Sequence, residues 1–99
     1  QAKNSGATPL IMAAQNGQEK CVELLLGAGA KVDQARNNGT TPLYFAAQEG
    51  RTQCVQWLIQ HSASPFQQAH DGMCPVHAAA QAGQTEALQL MLAHAKPPK

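Results

Sequence analysis

Apolar residues fall along this chain in short blocks that return at a fixed interval. One block carries Cys21, Val22, Leu24, Leu25 and Leu26 with the polar Lys20 and Glu23 between them, the spacing of one face of a helix. It returns as Cys54, Val55, Trp57, Leu58 and Ile59 around Gln53 and Gln56, and again as Ala87, Leu88, Leu90, Met91 and Leu92 around Glu86 and Gln89. A shorter block precedes each one. It opens Thr8-Pro9-Leu10, Thr41-Pro42-Leu43 and Cys74-Pro75-Val76, then reaches Ala13-Ala14, Ala46-Ala47 and Ala79-Ala80.

Each block predicts a helix with defined ends. Thr8 and Thr41 supply hydroxyls for N-capping, and Pro9, Pro42 and Pro75 fall at the first helical position, where the missing N–H costs nothing. Gly17, Gly50 and Gly83 end these first helices after about two turns, and the paired alanines let a neighbouring helix approach closely. The second helix of each pair follows.

Gly6, Gly39 and Gly72 lie 33 residues apart, and the register holds across both intervals. Three copies, over residues 4–36, 37–69 and 70–99, account for the whole chain as one repeat domain. About a dozen residues rich in Ala, Gln, Asn and Asp join the copies, ending Asn37-Asn38-Gly39 and His70-Asp71-Gly72. Asn-Gly and Asp-Gly favour tight turns with positive φ, so each junction is expected to carry a hairpin-like finger. No single copy can bury its apolar face alone; stacked copies share one core.

The 33-residue period with Thr-Pro-Leu and Ala-Ala-x-x-Gly resembles the ankyrin repeat, over residues 4 to about 96. The resemblance implies an all-α repeat fold, a solenoid of three helix-turn-helix units joined by β-hairpin-like fingers. It also implies a protein-interaction module, an adaptor or scaffold that binds a protein or peptide on the concave side of fingers and first helices. By matching positions, the partner-binding residues are Asn4, Ser5, Gln15 and Asn16 in the first copy. In the second they are Asn37, Asn38, Thr40, Tyr44, Gln48 and Glu49, and in the third His70, Asp71, Met73 and Gln81. Phe66 joins them: its counterparts are Asp33 and Lys99, so the position tolerates charge and its ring is expected to be exposed, either to contact a partner or to pack against the next finger.

Several positions depart from the family pattern. The histidine that usually follows Thr-Pro-Leu is Ile11, Tyr44 and His77 in turn, so only the third copy can make that residue's hydrogen bonds. Cys74 replaces the capping threonine, at a cost of about 1 kcal/mol. The glycine near the end of the second helix survives as Gly29 and becomes Ser62 and Ala95, where fraying is expected. The stretches from Thr41 to Gly50 and from Ala69 to Gln81 also resemble the ankyrin repeats of the actin-bundling espins, a weaker likeness that admits a cytoskeletal link.

Composition narrows the function further. Of 99 residues 13% are charged and 43% hydrophobic, with a net charge of +1, which disfavours disorder and electrostatic binding of nucleic acid. The seven basic residues are scattered without interleaved aromatics. The apolar runs fall far short of the roughly 20 residues a membrane span needs. Three cysteines without a CxxC pair suggest reduced thiols in the cytoplasm or another intracellular compartment. Cys21 and Cys54 are expected in the core and Cys74 partly exposed. Gln1 to Gly6 has no leader character, so the chain is expected to be a piece of a longer array.

Catalytic and metal constellations are missing. His61 and His94 lie one repeat apart on second helices, but no HExxH, paired Cys and His ligand spacing or glycine-rich phosphate loop accompanies them. Neither cofactor, metal nor enzymatic activity is expected. Trp57 is expected in the core beside the positions of Leu24 and Leu90, while Tyr44 and Phe45 either pack between repeats or lend a ring to the groove. The end units lack polar capping faces, which opens a second reading: a structural spacer, or end-to-end self-association.

Overall fold

The computed structural model describes residues 6–94. It holds six helices: α1 (Pro9–Asn16), α2 (Glu19–Gly27), α3 (Pro42–Gln48), α4 (Thr52–Gln60), α5 (Pro75–Ala82) and α6 (Thr85–His94). They form three pairs, and each helix packs on its counterpart one repeat away, α1 on α3 on α5 and α2 on α4 on α6. The result is elongated, 46 × 29 × 25 Å.

The starts of the first helices are set chemically. Thr8 Oγ1 accepts the Ile11 N–H at 3.1 Å, and Thr41 Oγ1 accepts the Tyr44 N–H at 3.3 Å. The third unit, which has Cys74 there, recovers one bond from the other direction: His77 Nδ1 accepts the Cys74 N–H at 3.3 Å and lies 3.3 Å from its Sγ. The helices stop where the chain turns left-handed, at Gly17 (φ 73°), Gly50 (φ 71°) and Gly83 (φ 74°). The N–H one residue on then closes each pair, from Gln18, Arg51 and Gln84 to the carbonyls of Ala13, Ala46 and Ala79 at 2.9, 2.8 and 2.8 Å.

Small side chains let these helices stack closely. Ala14, Ala46, Ala47 and Ala79 are fully buried, and on the second helices Val22, Val55, Leu58, Ala87 and Met91 complete a continuous core. Trp57 is half-buried against it.

The junctions are turns, and no strand is formed among the described residues. In the first, Arg36 N–H donates to the Thr40 carbonyl at 2.9 Å and Gly39 N–H to Arg36 at 2.8 Å; in the second, Ala69 donates to Met73 at 2.7 Å and Gly72 to Ala69 at 2.9 Å. One further bond, His70 N–H to the Asn38 carbonyl at 2.9 Å, ties the turns together. Their spacing explains Gly39, whose φ is 88°: a Cβ there would sit 3.0 Å from Ala69 Cα and 3.1 Å from His70 N.

Three sequence expectations are corrected here. Cys21 is exposed, not core, while its equivalent Cys54 is 1% exposed. Leu24 is 70% exposed where Leu90 is half-buried. Both face the side of α2 on which no earlier helix pair lies among the described residues. Cys74 is 4% exposed, because the capping residue is folded into the stack whatever its side chain; its equivalent Thr41 is 1% exposed. Ser62 keeps the turn geometry of Gly29, with φ 73° and its N–H on the Ile59 carbonyl at 2.9 Å. Ala95 lies outside the described residues.

Candidate functional site

The candidate site is built from the two turns and the exposed ends of α1, α3 and α5. Asn4 and Ser5 lie outside the described residues. Of the others, Asn16, Asn37, Asn38, Gln48, Glu49, Phe66, His70, Asp71 and Gln81 are exposed, and Gln15, Tyr44 and Met73 are half-buried. Phe66 is 53% exposed. Thr40 is the exception at 7%.

Hydrogen bonds inside the turns decide which atoms remain to a ligand. Asn38 Oδ1 accepts from the Thr40 N–H at 3.1 Å and from Thr40 Oγ1 at 2.7 Å. Thr40 is therefore a structural brace, and Asn38 offers outward its Nδ2. In the next turn Asp71 Oδ1 accepts the Met73 N–H at 3.0 Å, the same Asx geometry with a carboxylate in place of the amide. The two turns thus present alternate chemistry, an amide donor on one and an anion on the other.

Tyr44 sits where the turns meet the first helices. Its ring meets Phe45 edge to face, with centroids 5.8 Å apart and planes at 69°. Burial pushes the Tyr44 hydroxyl above its usual pKa, with the nearby Asp71 and Cys74 charges adding to the shift. It therefore stays a neutral donor. Arg36, which sequence reasoning passed over, places its guanidinium 5.6 Å from the Phe45 ring centroid, and its buried Nε has no hydrogen-bond partner. Its signal was weak, since the equivalent residue in the next copy is Ala69.

The backbone carbonyls of Gln15 and Gln48 are already engaged. Arg51 Nε donates to Gln15 O at 3.2 Å and Gln84 Nε2 to Gln48 O at 3.1 Å, each reaching back across the joint between two helix pairs. The strap uses the backbone carbonyls and not the side-chain amides of Gln15, which is half-buried, and Gln48, which is exposed. No residue pattern announces this strap, because the donor position holds Gln18, Arg51 and Gln84 in turn.

Among the described residues no group of three or more His, Cys, Asp and Glu could hold a metal ion, and no helix is long and apolar enough to cross a membrane. His61 is exposed, with Nδ1 3.1 Å from the Trp57 carbonyl of its own helix. No curated protein matches the chain. The family model for ankyrin repeats matches it in three copies over residues 10–99. With helix pairs that repeat every 33 residues and a family match over nearly its whole length, the chain belongs to the ankyrin-repeat family, whose members are generally protein–protein interaction modules.

Proposed function

We propose that this chain is an adaptor or scaffold module that binds an extended peptide or a protein surface along the groove between its turns, as fingers of a short solenoid, and its first helices. The observation that carries this reading is the run of exposed, uncharged hydrogen-bonding side chains, Asn38, Gln48 and Gln81 with His70, beside the half-buried Tyr44. Such a surface gains specificity from directed hydrogen bonds more than from long-range steering, and a ring that is partly buried already loses little entropy on contact. Asp71 and Glu49 add two negative charges and the guanidinium of Arg36 one positive charge, which favours a partner segment of mixed polarity over a polyanion. A protein partner in a reducing intracellular compartment fits the free thiols.

The test is a pull-down with the chain and with an Asn38→Arg/Gln48→Ala double variant, with circular dichroism as the control for folding. Proteins recovered by the wild type and lost by a folded variant support the groove. An identical set of partners from both would move the site to another face of the stack. Reading the weaker espin likeness as an actin link predicts that actin is among the proteins lost.

A further inference from the structure

Trp57 is the single tryptophan of the chain, and it stands where Leu24 and Leu90 stand in the other units. It packs against the core yet stays half-buried, and it lines an open cleft with Glu19, Lys20, Glu23 and Gln53. The cleft holds about 310 Å³ and crosses the joint between α2 and α4, so both of its walls are described helices packed on one another.

Two rows of side chains form those walls. Glu19 and Glu23 lie one turn apart on α2, and Gln53 and Trp57 one turn apart on α4. The units are in register, with Glu19 equivalent to Thr52 and Glu23 to Gln56, which sets Glu19 level with Gln53 and Glu23 level with Trp57. Neither carboxylate is in an ion pair among the described residues. Two cations lie near, and neither closes the cleft. Lys20 is exposed and sits about 100° around α2 from Glu19, so its ammonium can swing out to water. Arg51 borders a separate cavity with Glu19 and is anchored to the Gln15 carbonyl at 3.2 Å.

The second joint is a control within the molecule. The same four positions between α4 and α6 hold Thr52, Gln56, Glu86 and Leu90. One carboxylate remains there and the aromatic face is gone, so packing of the helices does not by itself require the composition of the first joint. An indole face attracts a cation through its quadrupole, and the attraction grows where the ring is partly desolvated. A guanidinium suits such a cleft better than an ammonium: it is planar and weakly hydrated, and it can lie flat on the ring while its edge donates to a carboxylate.

We propose that the cleft between α2 and α4 is a second binding site, which takes an arginine side chain from a basic segment of a protein partner. The guanidinium stacks on Trp57 and donates to Glu23, and Glu19 one turn away adds to the negative field. The site lies on the second helices, apart from the turns and first helices of the proposed groove.

Because Trp57 is the only tryptophan, the intrinsic tryptophan fluorescence of the full chain reports this cleft alone. The probe is a capped tripeptide, glycine-arginine-glycine, titrated beside its citrulline counterpart, which keeps the shape and loses the charge. The expected result is a saturable change with the arginine peptide, about fivefold weaker binding of the citrulline peptide, and a similar loss in Glu23→Gln. Lys20→Gln should bind the arginine peptide at least as tightly as the wild type. Both substituted residues are exposed, and circular dichroism verifies that each variant keeps its helices. Absence of a saturable change, equal binding of the two peptides, undiminished binding by Glu23→Gln or weakened binding by Lys20→Gln overturns the proposal. The pull-down that tests the groove varies Asn38 and Gln48, so the two readings fail independently.

Discussion

Leu25 and Leu58 occupy the same position in successive units, yet the first is half-buried and the second fully buried. The residue, its helix and its register are the same; the difference is the helix pair that covers the middle unit from in front. Burial in this fold is therefore a property of the neighbour as much as of the residue. Replacing each leucine with alanine separates the two contributions. Leu58→Ala should cost about 3–5 kcal/mol of unfolding free energy, which consumes most of the stability of a small domain, while Leu25→Ala should cost less than half as much. Urea denaturation of both variants is the measurement. Equal losses would break the comparison and mean that the front of the first unit is covered in solution.

The contrast also marks what was legible in the sequence. The period, the helix starts at Thr8-Pro9 and Thr41-Pro42 and the stops at Gly17 and Gly83 could be read directly, because each is a local rule written in one or two residues. Cys21 and Leu24 were misjudged for the opposite reason: an apolar residue on the inward face of a repeat carries no mark of whether another repeat lies in front of it. The candidate site was legible as a set of positions but not as chemistry. Thr40 spends its hydroxyl on Asn38, and the straps of Arg51 and Gln84 use backbone carbonyls, which have no sequence signature. The turns kept their expected glycines without forming strands among the described residues: each turn is closed by its own backbone bonds, and the His70 N–H to Asn38 carbonyl bond ties one to the other.

The paired cysteines sharpen the comparison by titration. Burial, reinforced by Glu19 and opposed by Arg51, pushes the Cys54 thiol up to about 11 from 9.0. Above the unfolded value the unfolded chain loses this proton while the folded one keeps it, so stability falls as pH rises from about 9 to about 11, by about 2 to 3 kcal/mol at most. Cys54→Ala should flatten that part of the pH–stability curve relative to the wild type. Thiol labelling of the native protein gives a second readout: Cys21 should react at once, and the buried Cys54 and Cys74 only as the fold opens.

The helix caps give a smaller contrast. Thr41 lies 1% exposed between units and Thr8 is half-buried at the front, though both accept the same N–H three residues on. Water can replace the lost oxygen at Thr8 but reaches Thr41 poorly. Thr41→Ala should therefore cost about 1–2 kcal/mol and Thr8→Ala about 0.5–1 kcal/mol by thermal or urea unfolding.

The smallest effect has the opposite sign. Gly29 and Ser62 end α2 and α4 at equivalent places, both with positive φ, 96° and 73°. Serine alone pays for that conformation through its Cβ, by about 1–2 kcal/mol, while glycine would lose more backbone freedom on folding, about 0.5–1 kcal/mol. Ser62 is exposed, so its hydroxyl loses no buried contact on replacement. Ser62→Gly should then stabilise the chain by about 0.5–1 kcal/mol, visible as a higher urea midpoint with an unchanged slope, and Gly29→Ser should destabilise it by a similar amount. A destabilising Ser62→Gly would show that the left-handed turn after α4 does not persist in solution, and that the second and third units meet there by another route.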